Sequence, residues 1–149
     1  MRDTISHALK TAMKAGEKDR VSTLRMIQSA IKDRDIANRG AGKPAASDEE
    51  VAQLLAKMVK QREDSAKAFD DGNRPELAEK EREEITIIRG FMPKQLDEAE
   101  TEAAIRAAIA ATGASGAKDM GKVMAALREK HAGQMDFGRA SGTVKKLLG

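Results

Sequence analysis

The sequence of 149 residues contains no cysteine, no tryptophan and no tyrosine, and only 3 prolines and 3 phenylalanines. Without cysteine the chain forms neither a disulfide nor a thiolate metal site, and we expect a reducing, cytoplasmic location. Without tryptophan and tyrosine it offers almost no surface on which nucleic-acid bases could stack. No apolar run approaches the ~18 residues that a membrane-spanning helix needs, so we expect no membrane association.

The apolar residues that are present favour helices. Hydrophobic residues make up 40% of the chain and charged residues 34%, which is typical of a globular protein. Alanine, leucine, isoleucine, valine and 8 methionines account for most of the hydrophobic residues, and few β-branched residues alternate with polar ones. The sequence therefore predicts an all-α protein.

Apolar spacings of three and four residues predict seven helices, four in the first part of the chain and three in the last. The first carries Ile5, Leu9 and Met13 on one stripe, and the fourth turns Leu77 inward. Gly90 and Pro93 mark the strongest boundary. We predict an N-terminal helical subdomain over residues 1–90, a packed apolar joint over 91–96 and a C-terminal three-helix subdomain over 97–149.

Several predicted helices begin with a recognisable cap. Ser47 followed by Glu50, and Asp97 followed by Glu100, have the spacing of a capping box, in which each side chain bonds to the backbone of the other residue. Asp136 stands where the last helix should begin.

The stretch from Gly116 to Lys122 matches G-x-x-x-x-G-K, the start of a phosphate-binding loop. That loop needs a strand before it and a hydroxyl residue after the lysine, whereas here a helix precedes it and Val123 follows. We therefore exclude a nucleotide-hydrolysing site. A helix start remains, capped by Asp119, at which Lys118 and Lys122 could meet a phosphate; the alternative is a tight structural turn with solvated lysines. The glycines that would let another backbone approach closely are Gly113, Gly116 and Gly121.

Nothing in the sequence recommends a self-contained enzyme, a cofactor or a metal site. His7 and His131 are isolated and lack a neighbouring carboxylate or cysteine motif. The fourth helix alternates glutamates with Lys80 and Arg82, which predicts an ion-paired, solvated face rather than acid–base or metal chemistry. We predict no catalytic residues.

Positive charge is concentrated at the two ends of the chain. Residues 1–39 carry 9 lysines and arginines against 5 acidic residues, residues 40–96 carry 10 against 12, and residues 113–149 carry 7 against 3. The seven C-terminal cations are candidates for contact with phosphates of a folded RNA, by sequence-independent backbone recognition: Lys118, Lys122, Arg128, Lys130, Arg139, Lys145 and Lys146. The alternative is an ordinary lysine-bearing helical surface.

Three stretches resemble the GatB/YqeY family, and the stand-alone YqeY-like proteins in particular. They are Leu24–Ile27 (LRMI), Phe91–Leu96 (FMPKQL) and, most specifically, Lys118–Met124 (KDMGKVM). The resemblance implies a four-helix and a three-helix subdomain. It also implies a relation to the C-terminal tail of the B subunit of the aspartyl/glutamyl-tRNA amidotransferase, a carbon–nitrogen ligase that uses glutamine as amido donor.

In that enzyme the tail helps to hold the tRNA, while the chemistry takes place in a separate, larger domain that these 149 residues do not contain. We therefore hypothesise a tRNA-associated accessory protein that is not catalytic alone, with tRNA or another structured RNA as partner. The alternatives are a helical protein-interaction module without nucleic-acid binding, and an enzyme subunit that needs a partner for its chemistry.

Overall fold

The structure is a computed structural model that describes all 149 residues. It contains seven α-helices, one short 3-10 helix and no strand, so the predicted all-α class is confirmed. None of the helices is both long enough and apolar enough to cross a membrane. The helices are α1 (Arg2–Ala15), α2 (Lys18–Gly40), α3 (Asp48–Asp71), α4 (Pro75–Arg89), α5 (Glu98–Thr112), α6 (Met120–His131) and α7 (Phe137–Leu148), with the 3-10 helix at Ala117–Asp119.

Contacts between residues divide the chain into a first unit, Met1–Pro93, and a second unit, Lys94–Gly149. The first holds α1 to α4 and the second holds α5 to α7. Phe91 and Met92 pack against the core of the first unit, whereas Leu96 packs in the core of the second. The apolar residues of the predicted joint thus belong to two separate cores. That the two units are subdomains with the predicted limits stays a prediction.

The first unit is built around branched side chains from all four of its helices. Ile5, Leu24, Leu55 and Ile88 are almost completely inaccessible to water, one from each helix. The prediction that Met13 and Leu77 lie in the core is wrong, because they are 52% and 38% exposed. Their neighbours Ala12 and Ala78 are buried instead. Both lie within a turn or so of a helix end, where the smaller alanine faces the neighbouring elements.

A network of charged side chains ties the first unit together around Asp35. Its carboxylate accepts from the Arg2 guanidinium at 2.6 Å and from the backbone N–H of Ala46 at 2.8 Å. These hydrogen bonds, first of all the one from Arg2, lower the pKa of Asp35 from 3.8 to about 2. One carboxylate therefore joins α1, α2 and the loop before α3.

The two predicted capping boxes differ in the structure. At α5 both halves form, because Asp97 accepts from the Glu100 N–H and Glu100 accepts from the Asp97 N–H. At α3 the Ser47 hydroxyl accepts from the Glu50 N–H, but the Glu50 carboxylate accepts no hydrogen bond from the Ser47 N–H.

The reason is a stronger set of partners for Glu50 on α2. Its carboxylate accepts from Arg34 at 2.9 Å and from the buried amide of Asn38 at 3.1 Å. The Arg34 guanidinium is charged as well as the carboxylate, so this hydrogen bond is stronger than one from the neutral N–H of Ser47. The hydrogen bond from Asn38, followed by that from Arg34, lowers the pKa of Glu50.

Candidate nucleic-acid interface

The glycine-rich turn between α5 and α6 is built by backbone hydrogen bonds. Gly113 ends α5 in the left-handed conformation with φ of 66°, and the Ala114 N–H donates to the Ile109 carbonyl at 3.2 Å. Glycine adopts that conformation without strain, so this residue has a structural role. The 3-10 helix follows, with the Asp119 N–H donating to the Gly116 carbonyl at 2.9 Å. The amides before α6 are therefore partly satisfied within the protein.

Asp119, the predicted cap of α6, lies at the predicted position, but its side chain is used differently. Asp119 does occupy the N-cap position of α6, but its carboxylate makes no capping hydrogen bond to that helix. It accepts instead from the backbone N–H of Ser115 at 3.1 Å, four residues earlier. The 3-10 turn explains the difference, because it places Asp119 inside a helical turn with φ of −91° and ψ of 1° rather than in the extended conformation of a usual cap. Asp119 thus closes the turn that precedes α6.

Gly116 and Gly121 are not required by packing inside the protein. A side-chain carbon added at either position would meet no heavy atom within 4 Å. Gly121 lies in the first turn of α6, where glycine costs stability relative to alanine. Room for an external backbone is therefore present at both positions, and no internal contact accounts for the absence of a side chain.

The lysines of this turn are available to a ligand. Lys118 lies in the 3-10 helix and Lys122 in the first turn of α6, and both are exposed. Neither forms an ion pair; the one carboxylate in the turn, that of Asp119, is bonded to Ser115. The opposite side of α6 is its core side, where Val123, Met124 and Leu127 are buried.

The remaining C-terminal cations are exposed on α6 and α7, and none of them forms an ion pair either. The Arg128 guanidinium lies 5.9 Å from the ring centre of Phe137, the first residue of α7, a distance at which cation and ring attract. Lys130 is in the last turn of α6, and Lys145 and Lys146 are in the last turn of α7. Sequence reasoning missed the pairing of Arg128 with Phe137, because the two residues are nine positions apart in different helices.

Arg139 stands apart from the other six cations. It lines a groove of about 350 Å³ between the start of α5 and α7, and the carboxylates of Asp97, Glu98, Glu102 and Asp136 line the same groove. Negative charge close to a cation weakens its attraction for a phosphate. Of the predicted contacts, Arg139 is therefore the least favourably placed.

The two histidines and the acidic face of α4 have ordinary surroundings. The Nδ1 atom of His131 lies 2.9 Å from Oε1 of Gln134, while His7 is exposed on α1. On α4, Arg82 pairs with Asp70 and Glu84 pairs with Arg62, so ion pairs run from this helix to α3. No three histidine, aspartate or glutamate side chains are grouped so that they could hold a metal ion.

Comparison of the sequence with known proteins identifies relatives and a family. An uncharacterized protein of Schizosaccharomyces pombe is 36% identical over 90 residues, which cover 60% of this chain and 70% of that protein. Altered inheritance of mitochondria protein 41, mitochondrial, of Clavispora lusitaniae is 39% identical over 84 residues, 56% of this chain and 46% of that protein. The protein of the same name from Pyrenophora tritici-repentis is 25% identical over 144 residues, 95% of this chain and 77% of that protein.

The names of the Clavispora and Pyrenophora relatives state a mitochondrial connection but no reaction, and the chain spans less than half the length of the Clavispora relative. The family model described as Yqey-like protein matches residues 2–148, nearly the whole chain. The protein therefore belongs to the YqeY-like family.

Proposed function

We propose that this protein binds structured RNA, tRNA in the first place, through the phosphate backbone. The observation that carries the proposal is that seven exposed cations occur within residues 113–149 and none of them is ion-paired. Apart from Arg139, whose attraction the neighbouring carboxylates weaken, these cations lose no ion-pair partner on binding, and each phosphate contact adds the free energy of counterion release.

The chemistry of this surface favours backbone contact over base reading. The chain has no tryptophan or tyrosine, and the ring of Phe137 already has the Arg128 guanidinium near it. Base recognition in single strands relies mainly on exposed aromatic faces, whereas folded RNA is recognised largely through its shape and backbone. Open space at Gly116 and Gly121 beside Lys118 and Lys122 would let an RNA backbone come near the helix start.

We further propose that the protein acts as an accessory to tRNA metabolism, related to the tail of the amidotransferase B subunit. The support is the resemblance of the stretch Lys118–Met124 to that family. On this proposal the chain does not catalyse amide formation alone, and any carbon–nitrogen ligase activity needs a partner. A cytoplasmic location is part of the proposal; the relatives of known name are called mitochondrial.

The experiment is a titration of the full-length protein with total tRNA, followed by fluorescence anisotropy between 50 and 300 mM salt. We expect affinity to fall steeply with salt. Lys118→Ala with Lys122→Ala should reduce affinity by about 25-fold at 0.15 M salt and reduce the slope of log K against log salt by about 2, since each lost phosphate contact removes close to one counterion.

The matched control is Lys57→Ala with Lys60→Ala. These lysines are exposed on α3 and form no ion pair. The control therefore changes the net charge by the same amount as the test variant, but in the first unit. The proposal predicts less than a twofold loss for this control. Absence of binding at 50 mM salt, or an equal loss in the control, would refute the proposed surface. Amide formation on tRNA by the purified chain alone would refute the accessory role.

A further inference from the structure

A groove of about 800 Å³ runs between the end of α1 and one face of α2 in the first unit. Its lining includes the apolar side chains of Met13, Val21, Met26 and Ala30. Methionine side chains are flexible and polarisable, and they adapt to the shape of a partner. The groove shares no residue with the seven C-terminal cations and is independent of the proposed RNA contact.

Exposed hydrophobic residues lie in the groove and continue its line as a strip along α2. Only three large hydrophobic residues of the chain are clearly exposed, and two of them, Met13 at 52% and Ile36 at 58%, flank this side of α1 and α2. Ile36 follows the groove residue Ser29 by seven positions, so it continues the same face of α2. From Lys18 to Ile36 the strip is about 27 Å long, which five turns of a partner helix would cover.

The charges along the groove are net positive. Lys18 and Arg25 line it and form no ion pair, and Asp33 is the one carboxylate among the lining residues. Two other arginines of α2 are paired, Arg20 with Glu17 and Arg34 with Glu50. Complementarity therefore calls for a partner with acidic residues beside its apolar ones.

From this combination we infer that the groove docks an amphipathic, acidic helix of another protein. An apolar strip with cations at its edge fits a helix that presents apolar residues three and four apart with carboxylates alongside. A second copy of this chain does not supply such a helix: α3, α4 and α5 carry net negative charge, but most of their large apolar residues, such as Leu55, Ile88 and Ile105, are buried in the cores of the protein itself. RNA offers no apolar face of that kind.

The test uses the absence of cysteine, which allows one reactive thiol to be placed at will. The full-length variant Ser29→Cys is labelled with a benzophenone maleimide, mixed with extract of the cells that produce the protein, and irradiated. Gln61→Cys, exposed on α3, is the matched control for surface contact. We expect a protein crosslinked at position 29 and absent at position 61, and mass spectrometry should place the crosslink in an acidic segment with apolar spacings of three and four.

A synthetic peptide of that segment then gives the decisive measurement. Its Kd for the full-length protein should rise about tenfold or more for Lys18→Glu with Arg25→Glu, because attraction between opposite charges becomes repulsion. It should not change for Lys57→Glu with Lys60→Glu, which alters net charge equally. Crosslinks to RNA, to a second copy, to a segment without acidic amphipathic character or to nothing specific would each overturn the proposal, as would a peptide indifferent to the groove variants.

Discussion

Arginine serves opposite purposes in the two units of this molecule. In the first unit Arg2, Arg34, Arg62, Arg82 and Arg89 each pair with a carboxylate on another helix. In the second unit Arg106 pairs within its own helix, and no cation of α6 or α7 forms an ion pair.

The difference shows how little a count of charges says about function. The first unit has 18 lysines and arginines and 17 acidic residues, and the second has 9 and 7, so the two differ by only one net charge. What separates them is the use of arginine: five arginines of the first unit link one helix to another, although lysines such as Lys57 and Lys60 stay unpaired there, and on the last two helices no cation forms an ion pair. Which cations have an ion-pair partner is visible only in the structure.

The largest expected effect tests whether arginine links the helices of the first unit. Arg62 and Glu84 are 14% and 17% exposed, and Arg62 also donates to the Met58 carbonyl. Arg62→Met would leave a poorly solvated carboxylate without its partner, and the free energy of unfolding should fall by about 3 kcal/mol in urea denaturation followed by circular dichroism.

The control for this variant is Arg89→Met, because Arg89 pairs with Glu63 across the same two helices with both side chains about half exposed. Its loss should stay below about 1 kcal/mol. Equal losses for the two variants would mean that burial does not decide the worth of these pairs.

Acid should weaken the first unit through Asp35. Its pKa is about 2 in the folded protein against an ordinary 3.8, so the folded state holds the proton less readily than the unfolded chain. Its contribution to stability is therefore complete above about pH 4 and disappears as the pH falls towards 2. Thermal unfolding between pH 6 and pH 2 should show a smaller decline for Asp35→Asn than for the natural protein, and that variant should be the less stable of the two at pH 6. Parallel curves would contradict the role of Asp35.

A comparison within the second unit sharpens the proposed RNA contact. Lys146→Ala should weaken tRNA binding about fivefold at 0.15 M salt through the loss of one phosphate contact. Arg139→Ala should weaken it less than twofold, because four carboxylates share the groove that Arg139 lines. Anisotropy titrations of both variants measure the ratio, and a greater loss for Arg139 would reverse the ranking.

The smallest expected effect separates packing from ligand contact at Gly121. Gly121→Ala should raise the free energy of unfolding by about 0.5–1 kcal/mol, since the site is helical and the added carbon meets nothing in the protein. The same variant should bind tRNA less tightly if another backbone approaches there. A more stable variant with unchanged affinity would leave Lys118 and Lys122 as contacts but remove the role of this glycine.

Much of the fold could be predicted from local patterns, and the failures have a common cause. Helix spacing and the Asp97–Glu100 box depend on residues a few positions apart, and these predictions are confirmed. The Ser47–Glu50 pattern looks the same in sequence, yet Glu50 turns to Arg34 and Asn38 because α2 brings them close. A local sequence pattern cannot show that side chains of another helix compete for the same carboxylate.

The candidate site was predictable in its residue types but not in their surroundings. The lysines and arginines of residues 113–149 are evident in the sequence. The hydrogen bond from the Ser115 N–H to Asp119 depends on a 3-10 turn. The groove that Arg139 shares with carboxylates depends on the packing of α5 beside α7. Neither leaves a periodic signal.

The hydrogen bond from Ala46 to Asp35 has a consequence for how the first unit opens. Ala46 lies in the loop between α2 and α3, yet its amide is bonded to a carboxylate that also holds Arg2 in the first turn of α1. Release of that loop and release of the start of α1 are therefore coupled events, since both depend on the same carboxylate. Exchange of the Ala46 amide with solvent would then report on the fraying of a helix more than 30 residues away in the chain.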